Sequence, residues 1–119
     1  MLSLPPAVRI FVARGAVDLR KSFDALAAVV RAVLRQDPLG GHLFVFMNRR
    51  RDRIKVLYWD RVGFCLFYKR LEQGRFAELT ADEIGARELL CVLEGIELST
   101  TRARGWYTRP KGDARTPPM

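Results

Sequence analysis

The stretch 48–55 reads Asn-Arg-Arg-Arg-Asp-Arg-Ile-Lys and sets Arg49, Arg50, Arg51, Arg53 and Lys55 at the turn between two apolar, strand-like runs. Guanidinium groups are planar, permanently charged and matched in geometry to phosphate oxygens, so several of them on one hairpin tip suit the backbone of a nucleic acid. The plainer alternative is a charged, solvated turn. Arg20, Lys21, Lys69, Arg70 and Arg75 form a secondary basic set. Tyr58, Trp59, Phe64, Phe67 and Tyr68 interleave with the basic stretch. Base stacking is one reading of these aromatics and core packing the plainer one, with only Trp59 expected to be partly accessible.

Other chemistries find less support. Two-metal strand cleavage needs carboxylates converging from different elements. Asp18, Asp24, Asp60 and Glu72 are available, but each fits a helix start or a turn. His42, the one histidine, follows Gly40-Gly41 into a strand as a turn residue would. Cys65 and Cys91 lie in apolar segments without CxxC spacing, which reads as buried reduced thiols rather than a disulfide or zinc site. With no glycine-rich phosphate loop, the expectation is a non-enzyme with no metal and no cofactor. One enzyme class survives: a small basic ribonuclease of the toxin type, using Arg53, Lys55, Tyr58, Lys69 and Arg70. Strand alternation divides that set, since Lys55 shares a face with Leu57 and Trp59 while Tyr58 shares one with Ile54 and Val56.

The whole chain is basic: 21 Lys+Arg against 13 Asp+Glu over 119 residues, net +8, pI near 10.3, with 17 of the cations arginine. This favours a polyanionic partner. The charge is also polarised, +6 over 49–75, −5 over 76–98 and +4 over 99–119. Asp82, Glu83, Glu88 and Glu94 fall opposite Ile84, Leu90 and Leu93 on an expected helix. A solvated face is the plain reading, and a docking surface for a basic protein partner the sharper one. No apolar run reaches the ~18–20 residues of a membrane span, and no signal peptide is evident, so a cytoplasmic location is expected.

Periodicity supplies the elements that must carry these residues. A strand over 8–13 precedes a helix beginning within 18–22, in which Phe23, Leu26, Ala27, Val30, Val33 and Leu34 recur at helical spacing. Asp37-Pro38-Leu39-Gly40-Gly41 stops it. Runs at 43–47, 54–60 and 64–69, joined by short turns, read as an antiparallel meander, and the continuous apolarity of 43–47 suits a strand covered on both faces. A brief edge strand over 75–79, a capping box Thr80-Ala81-Asp82-Glu83, a helix to about Glu94 and a left-handed Gly95 complete the order. The expectation is an α+β single domain over 1–98, with an antiparallel sheet of about four strands and two helices in the order β-α-β-β-β-(β)-α, followed by a basic, flexible tail over 99–119. Phe23, Leu26, Val30, Phe44, Phe46, Val56 and Phe67 are the expected core.

The order of blocks carries a further likeness. Asp18-Leu19-Arg20-Lys21-Ser22-Phe23, Asp37-Pro38-Leu39-Gly40-Gly41-His42, Arg50-Arg51-Asp52-Arg53 with Tyr58-Trp59-Asp60, Gly63-Phe64 with Tyr68-Lys69-Arg70-Leu71-Glu72-Gln73-Gly74-Arg75-Phe76, and Leu93-Glu94-Gly95-Ile96 follow one another along the chain. In this the sequence resembles, over roughly residues 5 to 98, the TnpB accessory proteins of the insertion sequence 66 family of bacterial transposons, which are distinct from the RNA-guided nuclease of the same name. A Trp-Pro-containing insertion that members of that family often carry after the Gly-Arg-Phe block is missing here. The resemblance implies an accessory role in transposition beside a separate transposase. Its expected partners are DNA, at the transposon ends, and the element's transposase and other accessory protein, which the acidic helix could dock.

Overall fold

Five consecutive apolar residues form strand β2 (Leu43–Met47), and all five are buried, as a strand covered on both faces must be. It lies at the centre of a five-stranded sheet whose strands, from edge to edge, are Phe64–Arg70, Arg53–Trp59, Leu43–Met47, Ile10–Val12 and Glu83–Ile84. The structure is a computed structural model that describes residues 7–97 and 102–103. Strand β1 (Ile10–Val12) leads through helix α1 (Phe23–Val29), extended by a π-helical turn (Val30–Leu34), into β2. Strands β3 (Arg53–Trp59) and β4 (Phe64–Arg70) complete the meander. Strand β5 (Glu83–Ile84), helix α2 (Ala86–Glu94) and a short antiparallel pair, β6 (Ile96–Glu97) with β7 (Arg102–Ala103), follow.

Side-chain alternation builds two cores. Phe11, Phe44, Phe46 and Leu57 on one face pack with Leu26 and Ala27 of α1 and Val30 of the π-helical turn. Ile10, Val12, Val45 and Val56 on the other pack with Leu89, Val92 and Leu93 of α2. The α+β class, both helices and, roughly, the order of elements along the chain match expectation. The sheet differs in holding a fifth strand and one parallel pair, β1 with β2, because the intervening helix crosses over one face and returns the chain in the same direction.

Local differences have physical causes. The capping box at 80–83 does not form; Glu83 and Ile84 are instead β5, and α2 starts after an N-cap at Gly85. Pairing with β1 wins because it buries Ile84 and satisfies an otherwise open edge, where the Val12 amide donates to the Asp82 carbonyl at 2.8 Å. Residues 75–79 form no strand, yet Phe76 and Leu79 enter the α2-side core. Leu26, Val30, Phe44, Phe46 and Val56 are buried as expected, whereas Phe23 is 42% exposed in the first turn of α1 and Phe67 is half-buried on the edge strand. Cys65 and Cys91 are free thiols, each half-buried. Gly95 ends α2 with φ +78°, the left-handed conformation expected of it. Apart from residues 102–103, the expected tail lies outside the described residues.

Candidate nucleic-acid interface

The arginine-rich turn is held in shape from within. Asn48 Oδ1 accepts from the amides of Asp52 (3.1 Å) and Arg53 (3.0 Å), and its Nδ2 donates to Asp52 Oδ1 at 2.6 Å. Arg51 adopts a left-handed conformation, φ +56°, and its amide donates to the Asn48 carbonyl. The 71–76 loop braces the turn from outside. The Leu71 amide donates to the Asp52 carbonyl at 2.7 Å and the Phe76 amide to the Arg51 carbonyl at 2.6 Å. An asparagine that bonds its own following backbone is the turn chemistry expected of this residue type.

Because β1 and β2 are parallel, the loops that leave their carboxyl ends lie side by side, and a crevice opens between them. It measures about 730 Å³. Residues 16–20 form one wall, and Asn48, Arg49 and Arg50 the other; Arg53 and Tyr68 reach in from β3 and β4. Four arginines, Arg20, Arg49, Arg50 and Arg53, face two carboxylates, Asp18 and Asp52, so the crevice is net positive. Asp52 is engaged by Asn48. Asp18 binds Arg20 through both its oxygens (Arg20 Nε to Oδ1 3.0 Å, Nη2 to Oδ2 2.8 Å) and accepts from the Arg20 amide, which lowers its carboxyl to about 2. Arg49 and Arg50 are exposed, and among the described residues no carboxylate pairs with either.

The structure separates the basic residues that the sequence groups. Arg51 is half-buried and lines a smaller groove with Arg49, Glu78 and Leu79. Lys55, expected among the phosphate contacts, is only 7% exposed; it turns inward and donates to the Lys21 carbonyl at 2.9 Å. Its register opposite Phe46 places it on the α1 face, where that carbonyl and the Tyr68 ring receive it. Lys69 lies on the opposite face and donates to the Leu93 carbonyl in the last turn of α2, a favourable place for a cation. Arg70 pairs with Glu72 at 3.0 Å, and Lys21 and Arg75 are exposed outside the crevice. The ribonuclease set is not assembled: Arg53 and Arg70 share one face, Ile54-paired Lys69 and Tyr58 the other, and Lys55 is buried.

Two further expectations change. Asp82 and Glu83 precede α2 and are paired, with Arg14 (2.7 Å) and Arg9 (2.6 Å), so the acidic surface attributed to that helix retains Glu88 and Glu94. Trp59, edge-on to Phe64, is half-buried and so partly accessible as expected, but it is not alone: Tyr68 is the more exposed aromatic at 48%. Asn48 is the crevice residue to which sequence reasoning assigns no role, and Tyr68 lines the crevice although core packing is the plainer reading of it. Strand alternation carries the signal for Tyr68 once the β3–β4 register pairs it with Lys55. His42 accepts the Arg9 amide through Nδ1 at 2.9 Å and meets Phe11 edge-on. Among the described residues no group of three or more His, Cys, Asp or Glu is placed to hold a metal.

Residues 8–103, which include both walls of the crevice, match the family described as IS66 Orf2 like protein. The chain belongs to that family. It is similar to two proteins of Sinorhizobium fredii (strain NBRC 101917 / NGR234): uncharacterized protein y4hO, 43% identical over 82% of this chain and 88% of the relative, and uncharacterized protein y4jC, 41% identical over 64% and 65% respectively. No solved structure matches it. As an IS66 Orf2-like protein it is a transposition-associated accessory protein of an insertion sequence. Among the described residues no helix is long and apolar enough to cross a membrane.

Proposed function

We propose that this IS66 Orf2-like protein is a non-catalytic nucleic-acid-binding accessory of DNA transposition, acting in the cytoplasm beside a separate transposase. The observation that carries the reading is the convergence of Arg49 and Arg50, which no described carboxylate neutralises, with Arg20 and Arg53 in one crevice. Phosphates are the groups such a set suits, since each guanidinium offers a planar fork of donors. The turn that carries them is already ordered by Asn48, so little conformational entropy is lost on binding. Docking of the transposase through an acidic helix is less favoured, because Asp82 and Glu83 are already paired within the chain.

The test is a mobility-shift titration against transposon-end and scrambled duplex at several salt concentrations. Replacing Arg49, Arg50, Arg51 and Arg53 together by alanine should leave the fold intact, since the turn contributes nothing to either core. It should flatten the log–log salt dependence by roughly three units as phosphate contacts are lost. An unchanged slope places the contact elsewhere.

A further inference from the structure

We propose that Tyr68 is a stacking platform for an unpaired base, so that the crevice receives a single-stranded segment of nucleic acid rather than continuous duplex. The inference rests on the nucleic-acid reading above and names which form of nucleic acid the site takes. Tyr68 lies on edge strand β4, 48% exposed, at the crevice that holds Arg49 and Arg50. Its ring is fixed on two sides. Arg53 Nη1 donates to the Tyr68 hydroxyl at 3.3 Å, and Lys55 Nζ stands 4.8 Å from the ring centroid.

Lys55 is itself buried and tied to the Lys21 carbonyl, so it occupies the inward face of the ring. With Lys55 on one face, the opposite face of this half-exposed ring is the one left for a base, and the two contacts hold the ring in position. An aromatic face beside a positively charged groove is the arrangement by which proteins hold single strands: the cations follow the backbone while successive bases lie on rings. Arg53, bonded to the hydroxyl and lining the same crevice, supplies a cation next to the ring for the backbone of a stacked nucleotide.

Size points the same way. A volume of about 730 Å³ suits a ligand of a few aromatic and sugar rings. The faces of bases within a duplex are covered by their neighbours, so a paired helix could offer phosphates to Arg49 and Arg50 but no face to Tyr68. Single-strand contact uses both features of the site.

The experiment measures binding of the full chain and its variants to a thymidine homopolymer about twenty nucleotides long, an abasic strand of equal length, and a duplex of equal length. Tyr68→Ala should weaken binding to the homopolymer about tenfold and change binding to the abasic strand and the duplex by less than about twofold. Tyr68→Phe, which keeps the ring, should retain most of the affinity. A uridine homopolymer run in parallel tells RNA from DNA at the same site. Equal losses on all three DNA probes, or no loss on the homopolymer, would overturn the stacking role while leaving the arginine contacts standing. If the unaltered protein binds none of the probes at low salt, both the platform and the nucleic-acid reading fall. Thermal melts of the two variants exclude unfolding as the cause of any loss.

Discussion

Asn48 is the residue on which the geometry of the crevice depends most directly. Its single carboxamide accepts from two amides and donates to Asp52, so the turn keeps one shape although it holds four arginines whose charges repel one another. Asn48→Ala removes all three bonds and should lower stability by about 1–3 kcal/mol. Amide hydrogen exchange at Asp52 and Arg53 should quicken, and a variant that exchanges as slowly as the parent would show the 71–76 brace to be sufficient alone. Asp18 makes a second residue-level prediction. Hydrogen bonds from the Arg20 side chain and amide depress its carboxyl to about 2, against an ordinary value near 3.9. A depressed carboxylate contributes stability that is present above its unfolded value and is lost as pH falls through the folded one. Here that window runs from about pH 4 down to about pH 2, and the effect is small because the pair is exposed. A carboxyl NMR titration should find Asp18 ionised throughout the neutral range, and Arg20→Ala should move it back toward the ordinary value.

At the scale of elements, β2 joins the two cores and sets where the crevice opens. Phe46 is fully buried on its α1 face, and Phe46→Ala should cost about 3–5 kcal/mol, measurable as a lowered urea midpoint. A midpoint near that of the parent would mean the core can collapse around the missing ring. The elements differ in how far local sequence reveals them. Strands β2 to β4 are legible because apolar runs and short polar turns alternate, and the end of α2 because Gly95 takes the left-handed form that glycine adopts most readily. The start of α2 is not legible. Thr80 and Glu83 satisfy the local pattern of a helix cap, but the decisive partner of this segment is β1, more than seventy positions away along the chain. The parallel pairing of β1 with β2 is hidden in the same way, and with it the meeting of Arg20 with Arg49 and Arg50. Lys55 shows the converse limit: alternation placed its face correctly, while its burial follows from the ring of Tyr68 and the carbonyl of Lys21 arriving from other elements.

At the scale of the molecule, the question is whether charge acts by its total or by its place. The chain carries a net +8, and a diffuse basic particle would attract a polyanion from any side. The sheet instead has two dissimilar ends. Strand β3 runs from Arg53 beside the crevice to Trp59, a span of roughly 20 Å at the rise of an extended strand. At the far end the β3–β4 turn presents Arg61, exposed and bordering a separate groove with His42 and Asp60. Arg50 and Arg61 are thus two exposed arginines in turns at opposite ends of one strand, and Arg50→Gln and Arg61→Gln remove the same charge. If place decides, Arg50→Gln should reduce the salt slope of DNA binding by about one unit and Arg61→Gln should leave it unchanged within error, since the two sites are separated by more than the screening length of ~8 Å at physiological ionic strength. Filter binding over a range of salt concentrations measures both slopes. Equal reductions would mean that the protein holds DNA as an unoriented cation, and the crevice would lose its claim to be the interface.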